Sequence, residues 1–286
     1  MGAKQAKQAD PLGVGDYESE STMTARMPRF LNKKKFPYTT ADPAIWQARV
    51  DLAAVYRLAH NHGFNEGICN HLTVMVPNCT DKFLVIAYGL MWTEVTASNL
   101  LLVNMDGKVL EGEGAPEYTA FYIHKEIHAA DPVKNVCVLH THQPYASALC
   151  CLKNGKMEMV HQNCLRFHND IAYDPDFNGL VMEENEGQRL AKVMGGKRVL
   201  LHSNHGIIVV GASAAEAWDD LYYFERAAEV QVLVYSTGKP YTLIGDEVAA
   251  GFKKDMDEGK AGWAKNYFDA AKRNLIKQGK DADFDK

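Results

Sequence analysis

The feature that most constrains the fold is an apolar run that ends in two histidines. Val136 to Leu139 are apolar residues and a cysteine, and His140-Thr141-His142 follow directly. Successive side chains of a strand point to opposite faces, so residues two apart share a face. His140 and His142 should therefore converge at the end of a buried strand and form a chelate for a divalent metal. A lone histidine in such a place is more often a hydrogen-bonded core residue, but the paired spacing favours a metal site.

A second pair of largely apolar runs supplies candidates for a third ligand. Residues 198–202 and 207–210 flank the turn Ser203-Asn204-His205-Gly206, where His205 could add an imidazole. Three neutral imidazoles with one open coordination position are typical of a catalytic rather than a structural metal site. From the residues alone, the third ligand stays open among His161, His168, His202 and His205.

Composition excludes several classes of protein. With 286 residues, 47% of them hydrophobic, the chain can bury the core of one large or two small domains. The net charge of -5 gives no reason to expect a nucleic-acid partner. No apolar stretch has the length of a membrane span or a secretory signal, and the six cysteines form no C-x-x-C pair. The sequence therefore predicts a cytoplasmic protein with no nucleic-acid or membrane partner.

The domain organisation follows from where periodic patterns begin. Residues 1–40 show little periodicity, which predicts a flexible N-terminal arm. Asp42-Pro43 is typical of a helix start, and Asp106-Gly107 is typical of a hairpin turn between antiparallel strands. Because helices and strands interleave from there on, we predict one α/β domain over residues 41–240 and a C-terminal helical extension over 241–286.

Five motifs resemble those of the class II aldolase/adducin domain family between about residues 45 and 235. They are Glu66-Gly67-Ile68-Cys69-Asn70-His71-Leu72-Thr73, Tyr88-Gly89-Leu90, the His124 to His128 helix, His140-Thr141-His142-Gln143-Pro144-Tyr145-Ala146, and Ser203-Asn204-His205-Gly206. The resemblance implies a three-layer α/β fold with a central, mainly antiparallel nine-stranded sheet flanked by helices. It also implies a homotetramer with active sites between subunits.

The resemblance also assigns the metal ligands. It implies that His140, His142 and His205 hold Zn²⁺, or Mn²⁺ in some members, and it selects His205 over His202. The related domain of adducin is non-catalytic. Because all three histidines are present here, the resemblance favours an enzyme.

The chain departs from the phosphate-binding members of the family where they cradle phosphate. Those positions look like Asn70-His71, Tyr88-Gly89 and Tyr118-Thr119, so rings replace hydroxyls and no Arg or Lys is added. Since phosphate needs many hydrogen-bond donors, we predict a small, non-phosphorylated hydroxy or keto acid as substrate. His71, Tyr88 and Gly89 are the predicted substrate contacts, with Arg166 as a bidentate carboxylate clamp.

The catalytic acid/base is displaced as well. The family's aldolases place a glutamate one helical turn before the residue that matches His124, and Ala120 stands there in this chain. Glu117, one turn further back, is the predicted substitute; the alternative is a helix-start carboxylate that complements the dipole. Tyr145 is the predicted proton donor, and further candidates are His161, Arg166, His168 and Tyr173. His124 and His128 are expected to pack beside the cleft.

Together these features predict a divalent-metal-dependent carbon–carbon lyase. It would be an aldolase or a decarboxylase that acts through a metal-stabilised enolate. One alternative is an adducin-like, non-catalytic interaction protein that retains a metal site. The other is a sugar-phosphate aldolase or epimerase.

Overall fold

The computed structural model describes residues 42–179, 184–279 and 282–286. The N-terminal arm expected at residues 1–40 lies outside these ranges. The predicted domain boundary at residue 240 stays a prediction.

Eight strands in the described part of the chain form one sheet. They are β1 (His71–Met75), β2 (Lys82–Val85), β3 (Leu101–Asn104), β4 (Val109–Glu111), β5 (Cys137–Thr141), β6 (Ile171–Asp174), β7 (Val199–His202) and β8 (Ile207–Gly211). Their order is β4-β3-β2-β1-β5-β8-β7-β6, and every neighbouring pair is antiparallel except β6 and β7. The mainly antiparallel sheet is confirmed.

The expected nine strands are corrected to eight within the described residues. One edge of the sheet is β4, which has three residues and pairs with β3 through a register shift between Leu102 and Val103. A short edge strand with a bulge presents few aligned backbone groups to a further strand. This irregularity accounts for the end of the ladder at that edge.

Helices cover both faces of the sheet. They are α1 (Pro43–Asn61), α2 (Tyr118–Ala130), α3 (Pro144–Cys150), α4 (Gln162–Leu165), α5 (Glu184–Met194), α6 (Ala214–Ser236) and α7 (Asp246–Gln278). The Asp42 carboxylate accepts a hydrogen bond from the Ala44 amide at 2.8 Å, so α1 begins at the predicted residues. No helix of the described residues combines the length and low charge that a bilayer crossing requires.

Two hydrophobic cores lie on opposite faces of the sheet, which confirms the three-layer architecture. The larger core packs the sheet against α1, α3 and α6, and includes Tyr56, Trp92, Trp218 and Phe224. At the β2 end of the sheet it also reaches the α2 side through Phe83 and Phe121, whose ring centres lie 6.3 Å apart. The smaller core packs the other face against α2 and α5, and includes Ile123, Ile127, Leu190, Leu200 and Ile208. Strands β5, β7 and β8 alternate their side chains between the two cores: Val138 belongs to the smaller core, and its neighbours Cys137 and Leu139 belong to the larger one.

The pairing of β1 with β5 places several polar residues on the α2 side of the sheet. His71 lies opposite His140 and Thr73 lies opposite Val138, whose side chain belongs to the smaller core. These four side chains therefore share one face, because they are cross-strand partners or two residues apart. A polar strip thus runs from the end of β5 towards α2.

Candidate metal centre

Three histidines meet at one end of the sheet. His140 lies in β5, His142 follows that strand, and His205 lies in the turn between β7 and β8. Because Thr141 is the antiparallel partner of Ile207, the end of β5 adjoins the start of β8 and its turn. One nitrogen of each imidazole lies within 4.8 Å of the others. The structure thus brings together the three residues predicted as metal ligands.

Hydrogen bonds orient two of these rings. His140 Nδ1 donates to the Ile207 carbonyl oxygen at 2.9 Å, and His142 Nδ1 donates to Glu66 Oε2 at 2.7 Å. The two Nε2 atoms are left 3.2 Å apart. A tetrahedral metal with nitrogen ligands at about 2.0–2.1 Å holds them about 3.3 Å from one another. The pair therefore fits one ion, and each ring has the outer hydrogen bond that metal-ligating histidines usually make.

The third imidazole is held by a turn that requires glycine. A Cβ atom on Gly206 would lie 2.5 Å from the Thr141 carbonyl oxygen and 2.6 Å from His142 Cδ2. His205 Nδ1 is buried and has no hydrogen-bond partner among the described residues. An unpaired buried nitrogen is costly, and a metal ion in the cluster would compensate for that cost by engaging the ring.

The environment keeps the rings of His140 and His205 neutral, which is the form that binds a metal. Burial, with His142 and His202 nearby, lowers the pKa of His205 to about 3. Burial and the neighbouring histidines hold the pKa of His140 well below its usual range. Donor type, spacing and protonation state all suit a divalent transition metal.

Glu66 is a contact that the sequence analysis missed. Its amide donates to Asn70 Oδ1 at 3.2 Å, and its carbonyl accepts from the Cys69 amide at 2.8 Å. This closed turn aims the carboxylate at His142. The residue stood in a motif of the family, but it is separated from His142 by 76 positions, so only the fold shows the pair.

His71 and Glu117, predicted to contact substrate and move a proton, both lie beside the three histidines. The ring of His71 is 5.0 Å from that of His140, and its Nε2 is 3.8 Å from Glu117 Oε2. Glu117 is also the N-cap of α2, because it accepts hydrogen bonds from the Ala120 amide and the Thr119 hydroxyl. The geometry is therefore compatible with both interpretations of Glu117, a group that moves a proton and a carboxylate that caps the helix.

Tyr88 and Gly89 follow β2 and approach the same region. Burial, with Cys69 and Glu117 close by, raises the pKa of Tyr88, so its hydroxyl stays a hydrogen-bond donor. Gly89 has a φ of +99°, in a turn closed by the Leu90 amide and the Ala87 carbonyl at 3.3 Å. The Tyr88 amide donates to the Ala115 carbonyl oxygen at 2.9 Å, which ties this turn to the segment just before Glu117.

Arg166 and Tyr145, two further predicted site residues, contact other parts of this subunit, and their predicted roles stay predictions. The Arg166 guanidinium pairs with Asp219 of α6 and lies 3.9 Å from the centre of the Tyr223 ring. A carboxylate clamp would have to replace that buried partner. The Tyr145 amide donates to Glu225 Oε1 at 2.8 Å while its ring packs against the larger core.

The other candidates make local contacts. His161 caps α4, His168 contacts Asn169, and the Tyr173 hydroxyl accepts from the Met157 amide. His202, the competitor for third ligand, lies 2.7 Å from Asp174 Oδ2 through its Nδ1. Asp174 also accepts two hydrogen bonds from Arg189, so His202 belongs to a network beside the three histidines.

Comparison with the sequences of known proteins supports the resemblance to the class II aldolase/adducin family. The chain matches the family model described as class II aldolase and adducin N-terminal domain over residues 50–232. A Caulobacter vibrioides protein that takes its name from the class 2 aldolases is 36% identical over 209 residues, covering 72% of this chain and 79% of that protein. Alpha-adducin of Mus musculus is 34% identical over 201 residues, covering 68% of this chain and 27% of adducin.

Solved structures share the fold. An aldolase II superfamily protein from Pseudomonas syringae superposes with a TM-score of 0.79 at 31% identity, covering 85% of this chain and 97% of that one. L-fuculose 1-phosphate aldolase from Glaciozyma antarctica gives 0.73 at 27% identity, covering 87% and 96%. Since the family match spans more than half of the sequence, the chain belongs to the class II aldolase and adducin N-terminal domain family.

Proposed function

We propose that the protein is a divalent-metal-dependent carbon–carbon lyase, an aldolase or a decarboxylase, in which His140, His142 and His205 bind Zn²⁺ or Mn²⁺. The observation that carries this proposal is the convergence of three imidazoles whose ligand atoms lie within 4.8 Å of one another. Two of them are oriented by outer hydrogen bonds, as catalytic ligands usually are.

A bound divalent ion would act as a Lewis acid towards the negative charge that develops as a carbon–carbon bond breaks. The protein's own contribution lies in His71, Glu117 and Tyr88. The Glu117 carboxylate, 3.8 Å from His71 Nε2, is placed to accept and return a proton. Tyr88 keeps its phenolic hydrogen and can donate it to a substrate oxygen.

The proposed substrate is a small, non-phosphorylated hydroxy or keto acid. Two rings, His71 and Tyr88, occupy positions that the sequence analysis associated with a phosphate cradle. Among the described contacts of His71, Tyr88 and Glu117 there is no Lys or Arg side chain. A phosphate dianion would lack cationic partners there. Because one structural neighbour is an L-fuculose 1-phosphate aldolase, sugar phosphates are the substrate class against which this proposal should be tested.

A homotetramer with sites between subunits completes the proposal. Because the Arg166 guanidinium pairs with Asp219 in this subunit, we infer that a neighbouring subunit supplies the remaining donors. Light scattering should give about four times the 31.8 kDa chain mass. A monomer at all micromolar concentrations would contradict the shared site.

A second candidate function is an adducin-like interaction protein without turnover. The observation that favours it is the 34% identity to alpha-adducin over 201 residues. This function predicts a bound metal without catalytic turnover, whereas a lyase requires a bound metal and turnover.

The deciding experiment is a substrate panel on the metal-loaded protein. Sugar 1-phosphates would be compared with hydroxy and keto acids, with carbon dioxide and aldehyde release measured separately. Carbon dioxide without aldehyde identifies a decarboxylase, and aldehyde from a hydroxy acid identifies an aldolase. Preferred cleavage of a sugar phosphate would overturn the substrate proposal. Silence on the whole panel would favour the adducin-like function, and His140→Ala is the inactive control.

A further inference from the structure

A continuous chain of hydrogen bonds runs from the candidate metal centre into the protein. Its members, all buried, are His71, His124, Thr73, His128 and Asn135. His71 Nδ1 lies 2.7 Å from His124 Nε2, and Thr73 Oγ1 lies 2.5 Å from His124 Nδ1. The same hydroxyl lies 2.7 Å from His128 Nε2, and His128 Nδ1 lies 2.5 Å from the Asn135 carbonyl oxygen. The chain joins β1 to α2 and to the loop that follows α2.

The Asn135 end of this hydrogen-bond chain determines which group donates and which accepts in every bond along it. A carbonyl oxygen can only accept, so His128 Nδ1 must carry the hydrogen that it shares with Asn135. Complete burial lowers the pKa of His128 to about 4, and the ring is therefore neutral at physiological pH. A neutral imidazole carries one hydrogen, so His128 Nε2 is an acceptor.

Thr73 transmits this direction because a hydroxyl has a single hydrogen. It donates to His128 Nε2 at 2.7 Å. The other acceptor within reach, the Val138 carbonyl oxygen, is 3.5 Å away, and using it would leave His128 needing hydrogens on both nitrogens. The Thr73 oxygen must therefore accept from His124 Nδ1.

The same reasoning carries the direction to the metal centre. Burial and the adjacent histidines hold the pKa of His124 well below its usual range, so this ring is neutral as well and its Nε2 is an acceptor. His71 must then donate from Nδ1. The Nε2 atom of a neutral His71 therefore carries no hydrogen, and it faces Glu117 beside His140.

We propose that the chain through His124, Thr73, His128 and Asn135 fixes His71 in the tautomer with its hydrogen on Nδ1, so that Nε2 is a dedicated hydrogen-bond acceptor for a hydroxyl group of the substrate. Nε2 and the Glu117 carboxylate are 3.8 Å apart, beyond direct hydrogen-bond distance, so both remain available to a ligand. This arrangement selects a substrate with an O–H donor at that point. It favours a 2-hydroxy acid over the matching 2-keto acid, whose carbonyl oxygen can only accept.

The tautomer assignment can be tested without turnover and without a metal. Neutron diffraction from deuterated crystals should show one hydrogen on Nδ1 of His71, His124 and His128, and the Thr73 hydroxyl hydrogen directed at His128. Histidine ¹⁵N spectra, assigned with His71→Gln, His124→Gln and His128→Gln variants, should give the same assignment in solution. A hydrogen on His71 Nε2, or two hydrogens on His128, would overturn the proposal.

Thr73 offers a matched pair of variants. Thr73→Val removes the hydroxyl at nearly constant shape, whereas Thr73→Ser keeps it. In Thr73→Val the His71 ¹⁵N signals should shift towards the Nε2–H form, and Thr73→Ser should restore the wild-type pattern. Unchanged His71 signals in Thr73→Val would refute the positioning role of Thr73. If Thr73→Val does not fold, the neutron and wild-type ¹⁵N measurements still decide.

The selectivity rests on the proposed function, and its test separates the two claims. Lactate and pyruvate serve as the 2-hydroxy and 2-keto probes, with binding to the zinc-loaded protein measured by calorimetry. Thr73→Val should weaken lactate about tenfold and leave pyruvate unchanged, which matches the loss of one oriented hydrogen bond. Equal weakening of both probes, or no lactate preference in the wild type, would overturn the selectivity. Failure of the substrate panel leaves the tautomer result standing.

Discussion

The two groups of histidines on one face of the sheet differ in where their nitrogen atoms point. In the metal centre, His140 and His142 each use Nδ1 to bind an acceptor outside the cluster, which leaves their Nε2 atoms 3.2 Å apart. In the chain that begins at His71, both nitrogens of His124 and of His128 have hydrogen-bond partners within the protein. Nitrogen lone pairs that converge on one point form a site for a cation. Nitrogens that are all hydrogen-bonded within the protein instead fix the orientation and tautomer of the rings.

Burial alone does not separate the two groups. His124 and His128 are fully buried and His140 is nearly so. The difference is in polar satisfaction, because His205 Nδ1 has no hydrogen-bond partner among the described residues while the chain is fully paired. The unpaired nitrogen of His205 is therefore open to a ligand, whereas the paired nitrogens of the chain are not.

The largest expected effect is the loss of the metal when its third ligand is removed. We expect wild-type protein to contain about one divalent ion per chain, and His205→Ala to lose it at least a hundredfold more readily, because two imidazoles seldom hold zinc tightly. His202→Ala, which removes an equally close ring outside the cluster, is the matched control and should retain the metal. Elemental analysis of the purified variants measures this. Retention in His205→Ala with loss in His202→Ala would mean that the third ligand is His202.

A smaller effect is expected at Glu66, which orients His142 from outside the cluster. Glu66→Gln keeps the size of the side chain but removes the charge that accepts from His142 Nδ1. Metal affinity should fall about 10–100-fold, the usual cost of removing such a partner. Competition with a chromogenic chelator gives the affinity. Glu94→Gln, in the short turn at Trp92–Glu94, is the control, and an equal loss there would show that Glu66 has no specific role.

The parts of the site that local patterns predict are those held by single strands and turns. The two-residue spacing of His140 and His142 was sufficient to place them together, since alternation in a strand is a local property. The family resemblance supplied the choice of His205. The local sequence alone could not distinguish His205 from His202 as the third ligand. The three-layer fold was likewise predicted from the resemblance and is confirmed, with eight strands in place of nine.

The parts that sequence reasoning missed depend on long-range pairing. The bond between Glu66 and His142, and the contacts of Thr73 with α2, exist because β1 pairs with β5 in one register and α2 lies over both. Arg166 shows the same dependence on topology. The sequence suggested a carboxylate partner, and in this subunit the guanidinium pairs with the carboxylate of Asp219, 53 residues away. Local sequence shows which groups a residue can bind, and topology decides which group it meets.

The smallest expected effect is a pH dependence that distinguishes the paired chain from the metal centre. His128 has a pKa of about 4 in the folded protein, and an unfolded histidine titrates near 6.5. Between these values the unfolded state binds more protons, so the free energy of unfolding should fall as pH drops from about 6.5 to about 4. Each such histidine contributes up to about 1.4 kcal/mol per pH unit.

Urea titrations of chelator-treated protein at pH 6.5, 6.0, 5.5 and 5.0 measure this slope. His128→Gln removes one buried imidazole from the chain and leaves the three metal ligands in place, so its slope should be shallower by about one proton, or about 1.4 kcal/mol per pH unit. The contributions of the other buried histidines are present in both proteins and cancel in the difference. An unchanged slope would mean that His128 already carries a second proton in the folded state. In that case Thr73 would no longer be forced to donate to His128. The donor and acceptor assignments from Asn135 to His71, and with them the tautomer assigned to His71, would then be unsupported.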